Sequence, residues 1–260
     1  MLIQPCVAGK FYPDDPEVLR QDVLAMLADT KDKANLTPPK AIIAPHAGYI
    51  YSGPIAASAY ASLKKVKNQI KRVVILAPSH RYPIDGVATT TADFYLTPVG
   101  KIAIDQKTLT STRLPNLKII DEAFSVEHSL EVHLPFLQLT LETFSLLPLL
   151  VGFAEATQVE KILESFWGGP ETLIVISSDL SHYNPYKVAQ NIDKKIAQAI
   201  MDLDPNGFTT DDACGAIAIK GLLLIAARKK MTVLQVDLRN SGDTAGPKDS
   251  VVGYGAFHFR

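Results

Sequence analysis

The chain has 260 residues and a net charge of −1 from 26 basic and 27 acidic side chains, enough length for one large core and no basic excess. With no basic tail or stripe, nucleic acid and anionic membrane are excluded as expected principal partners. No apolar run reaches bilayer-spanning length, and MLIQPCVAGKFYPDD lacks a signal peptide's charged-then-apolar order, so a cytoplasmic protein is expected.

In chain order, Pro16–Asp29 sets Leu19, Val23, Met26 and Leu27 on one stripe and predicts an amphipathic helix. Thr30–Lys40 is polar and lysine-rich and reads as an exposed loop. Ala41–Ala44 is a short buried strand ending on Pro45-His46. A loop with Tyr49 and Tyr51 leads into a helix that Ser52 is expected to cap, with Gly53 and Pro54 in its first turn. Ser62–Lys71 is a basic helix end. Arg72–Pro78 is β-branched and near-continuously apolar, the pattern of a strand covered on both faces, and it runs into Ser79-His80. Ile84–Leu96 and Gly100–Ile104 read as short strands around turns, a hairpin at the sheet edge.

Ala123–Leu139 is irregular, because Pro135 breaks a helix from within; the helix either starts near Leu134 or kinks there. Phe144–Val151 and Thr172–Ser177 are strands separated by a helix over Thr157–Phe166. The second runs into Asp179 and His182. Lys187–Met201 and Cys214–Ala227 are packing helices, Thr232–Leu238 is a strand that breaks before Asp243, and Val251–Phe259 is the last strand. Strands alternating with helices predict a single α/β domain over residues 1–260, a largely parallel sheet flanked by helices.

Six histidines are present, and their placement is uneven. His46, His80 and His182 each follow a buried strand, and Asp243 follows another. Parallel strands would bring all four to one sheet edge, where open α/β folds bind ligands. Two histidines and a carboxylate form the facial set of non-haem Fe(II) enzymes, while histidine-rich sites also suit zinc or copper. Loops also collect polar residues for ordinary reasons, and a histidine held by loop hydrogen bonds is the bland alternative. Asp179 and His182, three apart, can work as an acid-oriented imidazole pair. Glu127, His128, Glu131 and His133 form a second group. Residues five apart on a helix lie about 140° round from each other, so His128 and His133 cannot both face one ion. Glu127 or His128 is expected to support the cleft from behind, or else to fix the Pro135 region. Tyr51 lines the cleft or simply packs. Cys6 and Cys214 form neither a disulfide framework nor a zinc knuckle, and Cys214 reads as a buried, inert thiol.

PHAGYIYSG, APSHR, EHSLEVHLPFLQ, SSDLSHY and ACGAIAI, between an N-terminal AGKFYP and a C-terminal VVGYGAF, occur in that order along essentially the whole chain. Together they resemble the Memo family, whose eukaryotic members are named as mediators of ErbB2-driven cell motility. The family is similar in fold to the class III extradiol, LigB-like dioxygenases, which are non-haem iron enzymes. The resemblance therefore implies a LigB-like fold, a metal cleft with His46 and His80 as ligands, and Asp179 and His182 beside them. Animal members offer a cysteine in the stretch matching Asn240–Asp249, and the ring-cleaving enzymes use glutamate. This chain offers Asp243, or Thr244, there.

Two functions follow as expectations. The first is an Fe(II)-dependent, dioxygenase-like enzyme with His46, His80 and Asp243 as ligands and His182, steered by Asp179, as acid/base. The second is a non-catalytic binding protein whose cleft takes a peptide or small anionic ligand. Metal-assisted hydrolysis on zinc is a weaker third. Microbial relatives are also grouped with AMMECR1-like and radical-SAM proteins, which implies a functional link with them.

Overall fold

Ile42, Val74, Leu147 and Val175 are each fully buried in the middle of a four-to-seven-residue strand, and that continuous burial is why these segments pair as a parallel sheet covered on both faces. Each such side chain contributes roughly 1.5–3 kcal/mol relative to exposure. The computed structural model describes residues 1–112, 114 and 117–260. Its strands are β1 (Leu2–Ile3), β2 (Ala41–Ala44), β3 (Arg72–Pro78), β4 (Val87–Thr89), β5 (Phe94–Thr97), β6 (Gly100–Ile104), β7 (Leu117–Ile119), β8 (Ser145–Val151), β9 (Thr172–Ser177), β10 (His182–Asn184), β11 (Val233–Asn240) and β12 (Val251–Phe259).

They form one mixed sheet in the order β1-β5-β6-β8-β3-β9-β2-β12-β10, with β11 on β12, and β4 and β7 beyond β8. The centre, β6-β8-β3-β9-β2, is parallel throughout. β5 and β6 make the expected antiparallel hairpin. β12 is antiparallel to β2, and β11 is antiparallel to β12, so β11 runs in the same direction as β2. The fold is thus α/β with a mostly parallel mixed sheet, as the alternation of elements predicts.

Helices cover the sheet at Pro16–Asp29, Tyr49–Tyr60, Ala156–Phe166, Tyr186–Met201 and Ala216–Arg228. Thr30–Lys40, expected as loop, holds one helical turn at Lys31–Ala34. The larger difference is after β2. The helix starts at Tyr49, capped by the extended backbone of Gly48, and not at Ser52, whose hydroxyl donates instead to the Ala47 carbonyl at 2.8 Å. Pro54 therefore lies inside the helix, where it removes the hydrogen bond to the Ile50 carbonyl. Ile50 is 68% exposed, so water can serve that carbonyl. Gly53 lets the Pro16–Asp29 helix approach, since a Cβ there would meet the Met26 sulfur at 2.5 Å.

Pro135 is accommodated in the first turn of a helix, Leu134–Thr140, after a 3₁₀ turn at Glu131–His133. A missing N–H costs nothing in that position.

Candidate metal centre

Three adjacent strands place one polar side chain each at equivalent positions. His46 is two residues beyond Ala44, His80 two beyond Pro78 and Asp179 two beyond Ser177, the last residues of β2, β3 and β9. Because these strands are parallel neighbours, the three side chains emerge together. They open into a cleft of about 740 Å³ lined also by His128, His182, Tyr51 and Tyr254.

His46, His80 and His128 each offer a ligating atom, all within 4.8 Å of one another. Their rings lie 5.0 to 5.7 Å apart. The hydrogen bonds behind them fix which nitrogen faces forward. Ser177 Oγ already donates to the Ser129 carbonyl at 2.7 Å, so His46 Nδ1, 2.6 Å away, must donate to Ser177. That makes His46 Nε2 the acceptor nitrogen, with the Cys214 thiol 3.3 Å from it.

Glu127 does the equivalent for His80 and stands close beside His128. It is 1% exposed, and its Oε1 lies 3.0 Å from Nδ1 of His80 and 3.3 Å from Nδ1 of His128. Burial raises its pKa, but His80 and the backbone N–H groups of Ser129 and His80 outweigh this and hold the carboxyl at about 2. An ionised carboxylate only accepts, so His80 Nδ1 donates to it and His80 Nε2 stays free, while His128 stands beside the same carboxylate as an electrostatic neighbour.

Three of the cleft imidazoles are biased towards the uncharged form. Burial, followed by the neighbouring His80 and His128, pushes His46 well below the ordinary histidine range. Burial pushes His128 down to about 4 despite Glu127. Burial and His80 also lower His182, whose ring is held by the Leu180 backbone. Asp179 behaves oppositely: burial lifts it to about 7 against the pull of the His46 N–H, His80 and the Ala47 N–H. Its contacts are with His46, whose N–H donates to Oδ1 at 2.8 Å and whose Nε2 is 4.0 Å from Oδ2. The pairing of Asp179 with His182 that their spacing suggests is thus replaced in this geometry by a pairing with His46.

Asp243 lies elsewhere. β11 does end on the same side of the sheet, but it is beyond β12, and the chain then winds into a 3₁₀ turn. The Asp243 carboxylate folds back to accept from the Asn240 N–H at 3.0 Å and from the Tyr186 hydroxyl. It lines a separate small cavity with Asn240 and Lys194. His128, expected behind the cleft, takes the front position beside His80. His133 is buried, with its Nδ1 hydrogen-bonded to the Tyr60 hydroxyl at 2.8 Å, away from the trio.

Several supports leave no local pattern in the sequence. Ser177 and Ser129 orient His46. Glu131, fully buried, accepts from Cys6 N, Val7 N and the Tyr12 hydroxyl, and so anchors the N-terminal segment that carries Lys10 and Phe11 to the cleft rim. The AGKFYP run is the one trace of that rim in the sequence. Among the described residues, no helix is long and apolar enough to cross a membrane.

A family model described as Memo-like protein matches residues 4–258. The chain is similar to a MEMO1 family protein of Methanopyrus kandleri, 33% identical over 281 residues and 98% of each chain. It is 35% identical to a MEMO1 family protein of Aquifex aeolicus over 267 residues, 96% of each chain. A third, from Sulfolobus acidocaldarius, is 33% identical over 285 residues, covering 100% of this chain and 99% of the relative.

Proposed function

Because this chain belongs to the Memo family and presents three imidazoles together in one cleft, we propose that it is a metal-dependent, dioxygenase-like oxidoreductase. In this reading His46, His80 and His128 hold a divalent metal ion. The residues fit such an ion: three imidazoles each offer a nitrogen within 4.8 Å of the others, and hydrogen bonds from behind orient His46 and His80, as metal-binding histidines require. Three imidazoles suit zinc, copper and iron alike, and iron is the choice that accompanies a dioxygenase-like reaction. When bound, the ion would supply Lewis-acid polarisation and redox chemistry.

The chain's own residues supply the rest. Ser177 and Glu127 keep the His46 and His80 tautomers fixed. His182, neutral and on the cleft wall, takes a proton from the substrate at its free ring nitrogen. Asp179, whose carboxyl burial lifts to about 7, accepts from the His46 backbone N–H and holds that segment beside the cleft. Phe11, Tyr51 and Tyr254 exclude water from its walls.

The observation that carries this reading is the convergence of the three histidines. Its test is metal content after anaerobic Fe(II) loading, followed by O2 uptake with a catechol panel. One ion per chain, lost in His46→Ala and His128→Ala and kept in Asp243→Ala, supports it. Equal metal in all variants overturns it. A second reading, a binding cleft for a peptide or small anion, draws on Lys10 and Arg81, which line the same opening. Metal retention with catechol-dependent O2 uptake counts against that one.

A further inference from the structure

The mouth of the cleft differs from its floor. The floor is histidine and aspartate, but at the mouth Tyr183 is 76% exposed, Ile50 68% and Tyr51 36%. Single exposed apolar side chains need no explanation. Three around one opening above a polar floor are the lining of an organic-ligand site.

The backbone at Tyr183 is a second, independent observation. Among the described residues three non-glycine residues have positive φ: Tyr183, Leu203 and Lys230. Leu203 and Lys230 each follow a helix C-cap, Asp202 and Lys229, where a left-handed residue is ordinary. Tyr183, at φ 57°, caps no helix and sits in the middle of β10. There the register against β12 slips: His182 faces Val252 and Asn184 faces Val251, leaving Tyr183 as the extra residue of a bulge. The Asn184 amide donates to the His182 carbonyl at 3.1 Å and braces it.

The bulge has a consequence for direction. Successive residues of a regular strand point to opposite faces. Here His182 and Tyr183 both line the cleft, with ring centroids 5.9 Å apart. A conformation disfavoured for tyrosine is kept where it turns an aromatic ring to the opening, as bulges beside functional clefts do.

We infer that the cleft takes a two-part organic ligand, with a polar chelating head at the histidines and a flat apolar body packed on Tyr183 and Ile50. This rests on the metal reading above and adds the class of ligand. Tyr183 is then a specificity-determining residue.

The test uses two hydroxamates with the same chelating head, acetohydroxamate and benzohydroxamate, titrated against zinc-loaded protein whose metal content is measured separately. Wild type is expected to bind benzohydroxamate about tenfold tighter, the order expected for burying part of a phenyl ring. The ratio is expected to fall below about threefold in Tyr183→Ala and in Ile50→Ser and to survive in Tyr183→Phe. Tyr183→Gly should lose the ratio without a lower thermal midpoint, since glycine accepts the left-handed backbone. A ratio of two probes is insensitive to a variant that merely folds less well. Full metal content with equal affinities, with no binding of either hydroxamate, or with an undiminished ratio in Tyr183→Ala overturns the inference and leaves the metal centre standing. Failure to take up zinc removes both.

Discussion

The carboxyl ends of β2, β3 and β9 and the carboxyl end of β11 lie on the same side of the sheet, yet they serve different ends. At the first three, each chain leaves its strand and presents a polar side chain two residues on, and parallel neighbours bring those side chains into one cleft. At the fourth, the chain closes at once into a 3₁₀ turn, and Asp243 is used to cap that turn. A shared edge is therefore insufficient to make a site. The side chain must also be free of local backbone groups that would claim it first.

The largest expected effect that would break this comparison is on metal affinity. His46→Ala or His80→Ala should weaken binding more than about 100-fold, beyond what loss of a supporting residue does. Asp243→Ala should leave it within about threefold, and calorimetric titration with zinc separates the two outcomes. A strong loss in Asp243→Ala would mean that the turn opens on binding and that the fourth strand end joins the site after all.

Next comes Glu127→Gln. It keeps the shape but removes the charge that makes His80 Nδ1 a donor and that lies 3.3 Å from His128 Nδ1. Metal affinity is expected to fall about 10–100-fold. A smaller drop would show that the His80 tautomer is set by something other than Glu127.

His133 sharpens the contrast between a cleft histidine and a packed one. Burial pushes it down to about 3. Below the ordinary histidine range the unfolded chain takes up a proton that the folded chain refuses, so stability is lost as pH falls towards 3. The slope from this one group is at most about 1.4 kcal/mol per pH unit. His133→Gln should flatten that slope in denaturant melts taken between about pH 6 and pH 4, while metal uptake by the folded protein persists. An unchanged slope would remove His133 as the source.

The smallest effect is expected at the turn itself. Asp243→Asn keeps an acceptor for the Asn240 N–H, whereas Asp243→Ala removes it. The alanine variant should lose about 1 kcal/mol, as typical cap deletions do, and the asparagine variant less. Equal stabilities would mean that the cap contributes nothing.

Much of the fold is readable from the sequence because each central strand is apolar at nearly every position and bounded by proline or polar residues. Arg72–Pro78, Thr172–Ser177 and Val251–Phe259 have the same bounds in sequence and structure. The helix after β2 begins earlier than its sequence suggests, because Ser52 and Pro54 resemble a helix start. What sets the true start is the Gly48 backbone and a tertiary bond from the Tyr49 N–H to the Phe11 carbonyl at 2.7 Å. His46 and His80 are legible as candidates from their strand ends. His128 is harder, since it follows no strand and sits in an irregular segment between short helices.

The sequence alone thus determined the central strands, the α/β class and the positions from which His46 and His80 emerge, because apolar patterning is local and burial enforces it. The tertiary structure decided the third histidine and the fate of Asp243. Which side chain faces a cleft depends on partners far along the chain. For His128 those partners are the His80 and His46 rings, and for Asp243 it is the Tyr186 hydroxyl. No local pattern records those meetings.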